Sequence, residues 1–159
     1  MEKKSNVNKR EQMAITLRKP EPSDKESWFH LFEEYLTFYK TKKPQEVFEA
    51  NWNRILAEDT KMHSVLAFDG ASAVGLANYL YHDSFWEVNE RCYLNDLIVL
   101  PAARGKGVGE ALIQYVFDES QTAGAAMLYW TTAHENVVAR KLYDRVSELT
   151  PFIKYQKTK

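Results

Sequence analysis

Residues 97–112 read Leu97-Ile98-Val99-Leu100-Pro101-Ala102-Ala103-Arg104-Gly105-Lys106-Gly107-Val108-Gly109-Glu110-Ala111-Leu112: an apolar run, a proline stop, then three glycines interleaved with basic and apolar residues. Glycine tolerates positive φ and lets main-chain N–H groups approach a ligand closely. A helix that starts at such a turn aims its unpaired N–H groups and the positive end of its dipole at the same point. Arg104 and Lys106 add positive charge. Together Arg104, Gly105, Lys106, Gly107, Val108 and Gly109 predict a cradle for a phosphate or diphosphate. Two nucleotide motifs do not fit it. A Walker A loop needs Ser or Thr after Gly-Lys, and Gly107 follows Gly105-Lys106. The dinucleotide fingerprint needs a glycine where Glu110 stands. What fits is Arg-x-x-Gly-x-Gly, met by Arg104, Gly107 and Gly109.

The elements that must hold this turn follow from periodicity. Residues 91–100 form the strongest strand, ended by Pro101, and a helix from about Gly107 to Thr122 follows it with Val108, Ala111, Leu112, Tyr115 and Val116 as its apolar face. Upstream, residues 14–19 alternate and stop at Pro20, giving a first strand. Ser23 or Asp24 caps a helix carrying Trp28, Leu31, Phe32, Tyr35, Leu36 and Tyr39, and Pro44 opens a second helix with Val47, Phe48, Trp52, Ile55 and Leu56. Residues 64–68 and 73–81 form a hairpin about Asp69-Gly70, and residues 82–89 a polar and aromatic loop. Residues 126–132 predict another strand, 136–147 a helix and 151–155 a closing edge strand. The order β-α-α-β-β-β-α-β-α-β combines early antiparallel pairing with a late right-handed parallel crossover. The expectation is an α/β (α+β) fold: a mixed, mostly antiparallel twisted sheet of six to seven strands flanked by about four helices. Residues 1–12 are expected to be a disordered polar lead, with one domain over 13–159.

Composition narrows the function classes. The chain has 159 residues, 45% hydrophobic and 27% charged, with a net charge of −1, so it has the apolar content to fold and no global pull toward nucleic acid or acidic membranes. No stretch of about 18 apolar residues is present to span a membrane, and the polar N-terminus is no signal peptide. A single cysteine, Cys92, excludes an intrachain disulfide and a cysteine metal cluster, and His30, His63, His82 and His134 have no ligand spacing. A cytoplasmic protein without a metal is expected.

The glycine turn resembles motif A of the Gcn5-related N-acetyltransferases, whose Arg/Gln-x-x-Gly-x-Gly/Ala sequence holds the diphosphate of acetyl-CoA. Downstream, Asn136-Val137-Val138-Ala139-Arg140-Lys141-Leu142-Tyr143 resembles the family's Asn-x-x-Ala-x-x-Leu/Phe-Tyr helix, in family order and at family spacing. The resemblance implies the GNAT fold, acetyl-CoA as co-substrate and direct transfer of acetyl to an amine. It further implies that the pantetheine arm pairs with the main chain of Leu97, Ile98 and Val99 as an added strand would. It gives Tyr143 the role of acid for the leaving thiolate and Asn136 a hydrogen bond to the cofactor arm.

The proton acceptor stays open. The segment Tyr93-Leu94-Asn95-Asp96 resembles that of diamine and polyamine acetyltransferases, but a glutamate precedes their aspartate and Asn95 cannot accept a proton. Asp96, Glu87 or a water chain then deprotonates the ammonium; adjacent strand residues face opposite ways, so Asp96 need not stand in for Asn95. For the acceptor amine, Glu33 and Glu34 off the apolar stripe of the first helix, Asp83, Trp86 and Glu87 of the 82–89 loop, and Asp96 are the candidates, since carboxylates beside aromatics suit an alkylammonium. A small primary amine (polyamine, diamine or amino acid-like) is expected as acceptor; a protein lysine or N-terminus, or a CoA-binding regulatory module without catalysis, are the alternatives. The family's Gly-Phe after the tyrosine is absent, and Thr150-Pro151-Phe152-Ile153-Lys154-Tyr155 resembles the yeast-type histone and polyamine branch, implying a homodimer through this end.

Overall fold

The computed structural model describes residues 15–159. The expected polar lead, and Ala14 of the first strand, lie outside the described residues. Strand β1 (Ile15–Arg18) runs into a 3-10 turn at Pro22–Asp24, where the Asp24 carboxylate holds Arg18 at 2.6 and 2.9 Å and accepts the Glu21 N–H at 2.7 Å. Helix α1 (Lys25–Phe38) follows, then α2 (Gln45–Ile55), whose N-cap is Pro44 with its φ already set at −65°. Strands β2 (Met62–Asp69) and β3 (Ser72–His82) form a hairpin turned by Gly70 at φ +59°. Then come β4 (Arg91–Val99), a 3-10 turn at Pro101–Ala103, α3 (Val108–Thr122), β5 (Leu128–Tyr129) and α4 (Val137–Val146).

The strands form one sheet in the order β1-β2-β3-β4-β5, antiparallel except for the parallel β4–β5 pair. Period-two alternation splits the buried side chains between its faces. On one face Trp28, Leu31 and Phe32 of α1 and Trp52 of α2 pack on Leu66, Phe68, Leu76 and Ile98. On the other, Val108, Leu112, Ile113 and Val116 of α3 pack on Val65, Ala67, Ala77, Cys92 and Leu94. Burial pushes the Cys92 thiol up to about 12, so it stays protonated. Gly75 leaves room for α3 to lie close, since a Cβ there would stand 3.1 Å from Leu112 Cδ1.

Three strand expectations need correction. The sheet has five strands among the described residues, not six or seven. Of residues 126–132 only Leu128 and Tyr129 pair, with Cys92 and Tyr93. Residues 151–155 form no strand: Phe152, Ile153 and Tyr155 stand about three-quarters or more exposed and no sheet edge receives them.

The early end of β5 has its cause in β4. Asn78 pairs with Asp96 but Tyr79 pairs with Leu94, so Asn95 is an extra residue, a β-bulge. A bulge bends its strand and increases its twist, which carries β4 away from β5 just past Tyr93. Leu112 is fully buried at the centre of the α3 face. Leu112→Ala is expected to cost about 2–5 kcal/mol of unfolding free energy, read from the midpoint of urea denaturation; a change below about 1 kcal/mol would mean that this face collapses freely.

Candidate active site

Beyond the bulge, the outer edge of β4 is open. Leu100 N–H donates to Val74 C=O on β3 at 2.9 Å, so the residues in phase with it, Ile98 and Asp96, bond inward to β3. Leu97 and Val99 carry their N–H and C=O groups outward, into the gap left by β5. Before the bulge the outward residue is Cys92, whose N–H donates to Met127 C=O at 2.9 Å. The extra residue thus switches the outward set from even to odd numbers. Of the three strand residues expected to offer main chain to a bound arm, Leu97 and Val99 turn theirs outward and Ile98 turns its own inward to β3.

The strand leads into the glycine turn. Gly105 and Gly107 have φ of +72° and +81°, conformations that L side chains rarely adopt, and a Cβ on either would meet nothing within 4 Å. The turn therefore presents bare main chain at the N-terminus of α3, a fit for a diphosphate. Gly107 is the N-cap of α3, and no side chain caps it. Gly109 plays a different part: a Cβ there would stand 3.3 Å from Leu142 and 3.8 Å from Val99, so it lets α4 close on α3 and β4. Val108 is core. Arg104 Nε donates to Val99 C=O at 2.8 Å, setting the guanidinium at the head of the open edge, and Lys106 Nζ donates to Ala102 C=O at 2.9 Å.

Across the gap stands Tyr143 of α4, its ring 5.4 Å from Trp130. It lines a small cleft of about 20 Å³ with Tyr35, Tyr39, Leu94, Leu97 and Trp130. Burial pushes its phenol up to about 12, so it holds its proton at neutral pH. Asn136 is the N-cap of α4, but its side chain makes no cap hydrogen bond; Nδ2 donates to Thr132 Oγ1 at 3.1 Å instead, tying the helix to the segment after β5.

On the α1 face lies a larger cavity of about 260 Å³, which meets the cleft at Tyr35. Asp96 is in its wall, only 8% exposed. Its carboxylate accepts from Asn95 Nδ2 at 2.7 Å and Asn78 Nδ2 at 3.0 Å, and Trp28 Nε1 donates to Asn78 Oδ1 at 3.2 Å, fixing which way that amide points. Burial raises the affinity of Asp96 for a proton, while the hydrogen bonds from Asn78, Asn95 and Tyr35 oppose the rise. The expectation that Asn95 and Asp96 face apart fails here, because a bulge suspends period two and brings their side chains together.

The other acceptor candidates lie elsewhere. Glu33 is exposed on α1, Trp86 is 77% exposed, and neither lines the cavity or the cleft. Glu87 is held by Arg91 through two bonds of 2.8 Å, which keep its carboxyl below the usual range and make it a poor base. Arg91 also lies over the Trp86 ring, 5.4 Å from its centre, so this loop is tied to itself. Sequence reasoning missed Tyr35, Tyr39, Asn78 and Trp130. Tyr35 and Tyr39 fall at i, i+4 on an apolar stripe and read as core; the visible signal was their hydroxyls at the helix end. Among the described residues no three His, Cys, Asp or Glu side chains gather to hold a metal, and no helix is long and apolar enough to cross a membrane.

A mixed sheet splayed at a bulge, a glycine turn at a helix N-terminus and a tyrosine across the gap define an acetyltransferase-type site. The model of the acetyltransferase (GNAT) family matches residues 25–147, and the chain belongs to that family and is an N-acetyltransferase. It is 39% identical over 145 residues to the D-amino-acid N-acetyltransferase HPA3 of Saccharomyces cerevisiae, covering 90% of each chain. It is 30% identical to the uncharacterized N-acetyltransferase YhfO of Bacillus subtilis, over 89% of this chain and 95% of that one. Among solved structures, AAC(6')-Iy in complex with the bisubstrate analogue CoA-S-monomethyl-acetylneamine superposes with a TM-score of 0.80 at 21% identity, over 91% of this chain and 98% of that one; that likeness is one of fold.

Because Asp96 binds a proton more tightly folded than unfolded, its ionisation costs stability as pH rises from about 4 toward its folded value. The melting temperature of Asp96→Asn minus that of the wild type should therefore rise across this window and level off above it. A difference that stays constant with pH would remove Asp96 as a destabilised buried acid.

Proposed function

We propose that this protein transfers acetyl from acetyl-CoA directly to the primary amine of a small molecule: a polyamine, a diamine or an amino acid-like compound. The observation that carries the reading is the open edge of β4 running into the bare glycine turn, with Tyr143 facing it. Acetyl-CoA supplies an activated thioester carbonyl. The outward N–H and C=O of Leu97 and the N–H of Val99 pair its peptide-like arm, and the N–H groups at the start of α3 with the Arg104 guanidinium, itself anchored on Val99 C=O, hold its diphosphate. The relatives support the small-molecule class, one being named for D-amino acids and another solved with an acetylneamine bisubstrate analogue.

The chain's residues divide the proton work. An ammonium must lose a proton before its nitrogen can attack; Asp96, with its raised proton affinity, accepts it. As the C–N bond forms and the C–S bond breaks, negative charge gathers on sulfur, and the Tyr143 hydroxyl donates to it. A phenol near 12 is a weaker acid than an ordinary thiol, of pKa about 8.5, so its first contribution is a hydrogen bond. Full transfer follows only if the same dry cleft raises the sulfur's basicity.

Two substitutions separate the roles. Tyr143→Phe should lower turnover by about 10²-fold with acetyl-CoA affinity unchanged, while Arg104→Ala should weaken acetyl-CoA binding and leave saturated turnover nearly intact. Thiol release and calorimetric titration read the two quantities; wild-type turnover in the first variant would remove Tyr143 from the chemistry, and wild-type affinity in the second would unseat the diphosphate assignment.

The reading includes a cytoplasmic homodimer. Leu149, Phe152, Ile153 and Tyr155 are each 74% exposed or more, an apolar segment that a second copy would cover. A Phe152→Asp, Ile153→Asp double variant should sediment as a monomer where the wild type sediments as a dimer. Equal sedimentation of the two would place any dimer contact elsewhere.

A further inference from the structure

The 260 Å³ cavity behind Tyr35 lies below the usual range for drug-sized ligands, about 300–1,000 Å³, and so suits a small metabolite. Its walls between α1, α2 and the sheet are largely apolar: Leu36, Val47, Ile55, Met62 and Leu80. Two formal charges of opposite sign line it, the Asp96 carboxylate and Lys43 of the loop joining α1 to α2. His63 alternates with Met62 and Ser64 and turns its ring to the α3 face, stacked on Tyr79 and edge-on to Tyr81, each at 5.4 Å. Asp96 already has amide donors fixing its geometry. Lys43 is exposed and makes no ion pair among the described residues.

This charge pattern discriminates between the amines that the proposed function admits. A diamine or polyamine carries a second cation, so with one end on Asp96 the other finds no carboxylate in this cavity to pair with and meets the like charge of Lys43. An α-amino acid has one cation and one anion. Its ammonium satisfies Asp96 at the Tyr35 end, where the cavity meets the cleft of Tyr143, and its carboxylate takes a charge-assisted hydrogen bond from Lys43. An apolar side chain then buries against the aliphatic wall, at about 0.8 kcal/mol per methylene.

We propose that this cavity is the acceptor site and that it selects apolar α-amino acids over diamines and polyamines, with Asp96 receiving the ammonium and Lys43 the carboxylate. The inference rests on the acetyltransferase reading of the same site and narrows its substrate.

The test is a thiol-release assay of the full chain with acetyl-CoA and five acceptors: leucine and methionine as either enantiomer, isopentylamine (leucine without its carboxylate), putrescine and spermidine. For the wild type, kcat/KM for the better leucine enantiomer should exceed that for isopentylamine by about tenfold or more, the worth of one charge-assisted bond. Lys43→Glu should remove that advantage, chiefly through KM, leave isopentylamine within about threefold and raise spermidine. Lys43 is exposed on a loop, and the isopentylamine rate checks that the variant is folded. If isopentylamine or spermidine outruns both amino acids in the wild type, or if Lys43→Glu lowers every acceptor alike, the amino acid assignment falls and acetyl transfer to amines stands. If no acceptor releases thiol while acetyl-CoA binds, both readings fall.

Discussion

A strand repeats every two residues, and period two cannot point Leu94, Leu97 and Val99 to one side. The extra residue at Asn95 makes it possible, and the rest of the site depends on that bulge. It does three things through one displacement. It switches the outward main-chain groups to Leu97 and Val99, it carries β4 away from β5 so that those groups face open space, and it moves Asp96 to the α1 face. Had the strand kept its phase, Asp96 would share the α3 face with Cys92 and Leu94, beneath α3 and away from the cavity. A sheet that paired to the end of β4 would leave no edge for an extended ligand, because each peptide group would already have its partner.

The open edge is stable only because its surroundings are arranged for it. Gly109 lets Leu142 approach, so α4 closes one side of the gap and brings Tyr143 over it. Arg145 of α4 pairs with Glu110 of α3 at 2.5 Å on the outside, a surface contact of small worth that nonetheless agrees with the packing. On the inside, Trp28 donates to both Ser64 Oγ, at 3.1 Å, and Asn78 Oδ1, so the amide that holds Asp96 is itself held from the core. Burial acts in one direction on the two groups proposed to handle protons, Tyr143 and Asp96, since removing water disfavours either charge. One is kept as a donor and the other is made a better acceptor.

Much of this was legible in the residues. The glycine turn, the strand before it and the helix after it were legible because proline, glycine and apolar period each have a direct physical effect on local backbone. Helix α1 was legible from Trp28, Leu31, Phe32 and Leu36 for the same reason. The bulge was not: nothing local in Leu94-Asn95-Asp96 says that one residue will be unpaired, as this is decided by the register of β3 against β4. Its consequences were therefore misread, from the main chain of Ile98 to the relative facing of Asn95 and Asp96. The 82–89 loop misled differently. Acid and aromatic residues there have the composition of an ammonium site, but Arg91 lies four residues after Glu87 and takes both of its oxygens. The apolar pattern in residues 151–155 suited an edge strand, but Phe152, Ile153 and Tyr155 stand exposed and pair with no strand among the described residues.

The same geometry accounts for the residue that departs from the resemblance, Asn95. With the bulge in place its side chain does not face away from Asp96 but lies against it, Nδ2 to Oδ1 at 2.7 Å. A glutamate at this position would bring a second carboxylate toward a group already 8% exposed, where two like charges cannot both ionise cheaply. An amide instead donates to Asp96 and steadies its charged form. Asparagine at 95 and a buried acid at 96 are thus mutually consistent, and the proton-accepting role is the one proposed for Asp96. The unit to consider is the bulged pair with Asn78 opposite, because no single member has this chemistry without the other two.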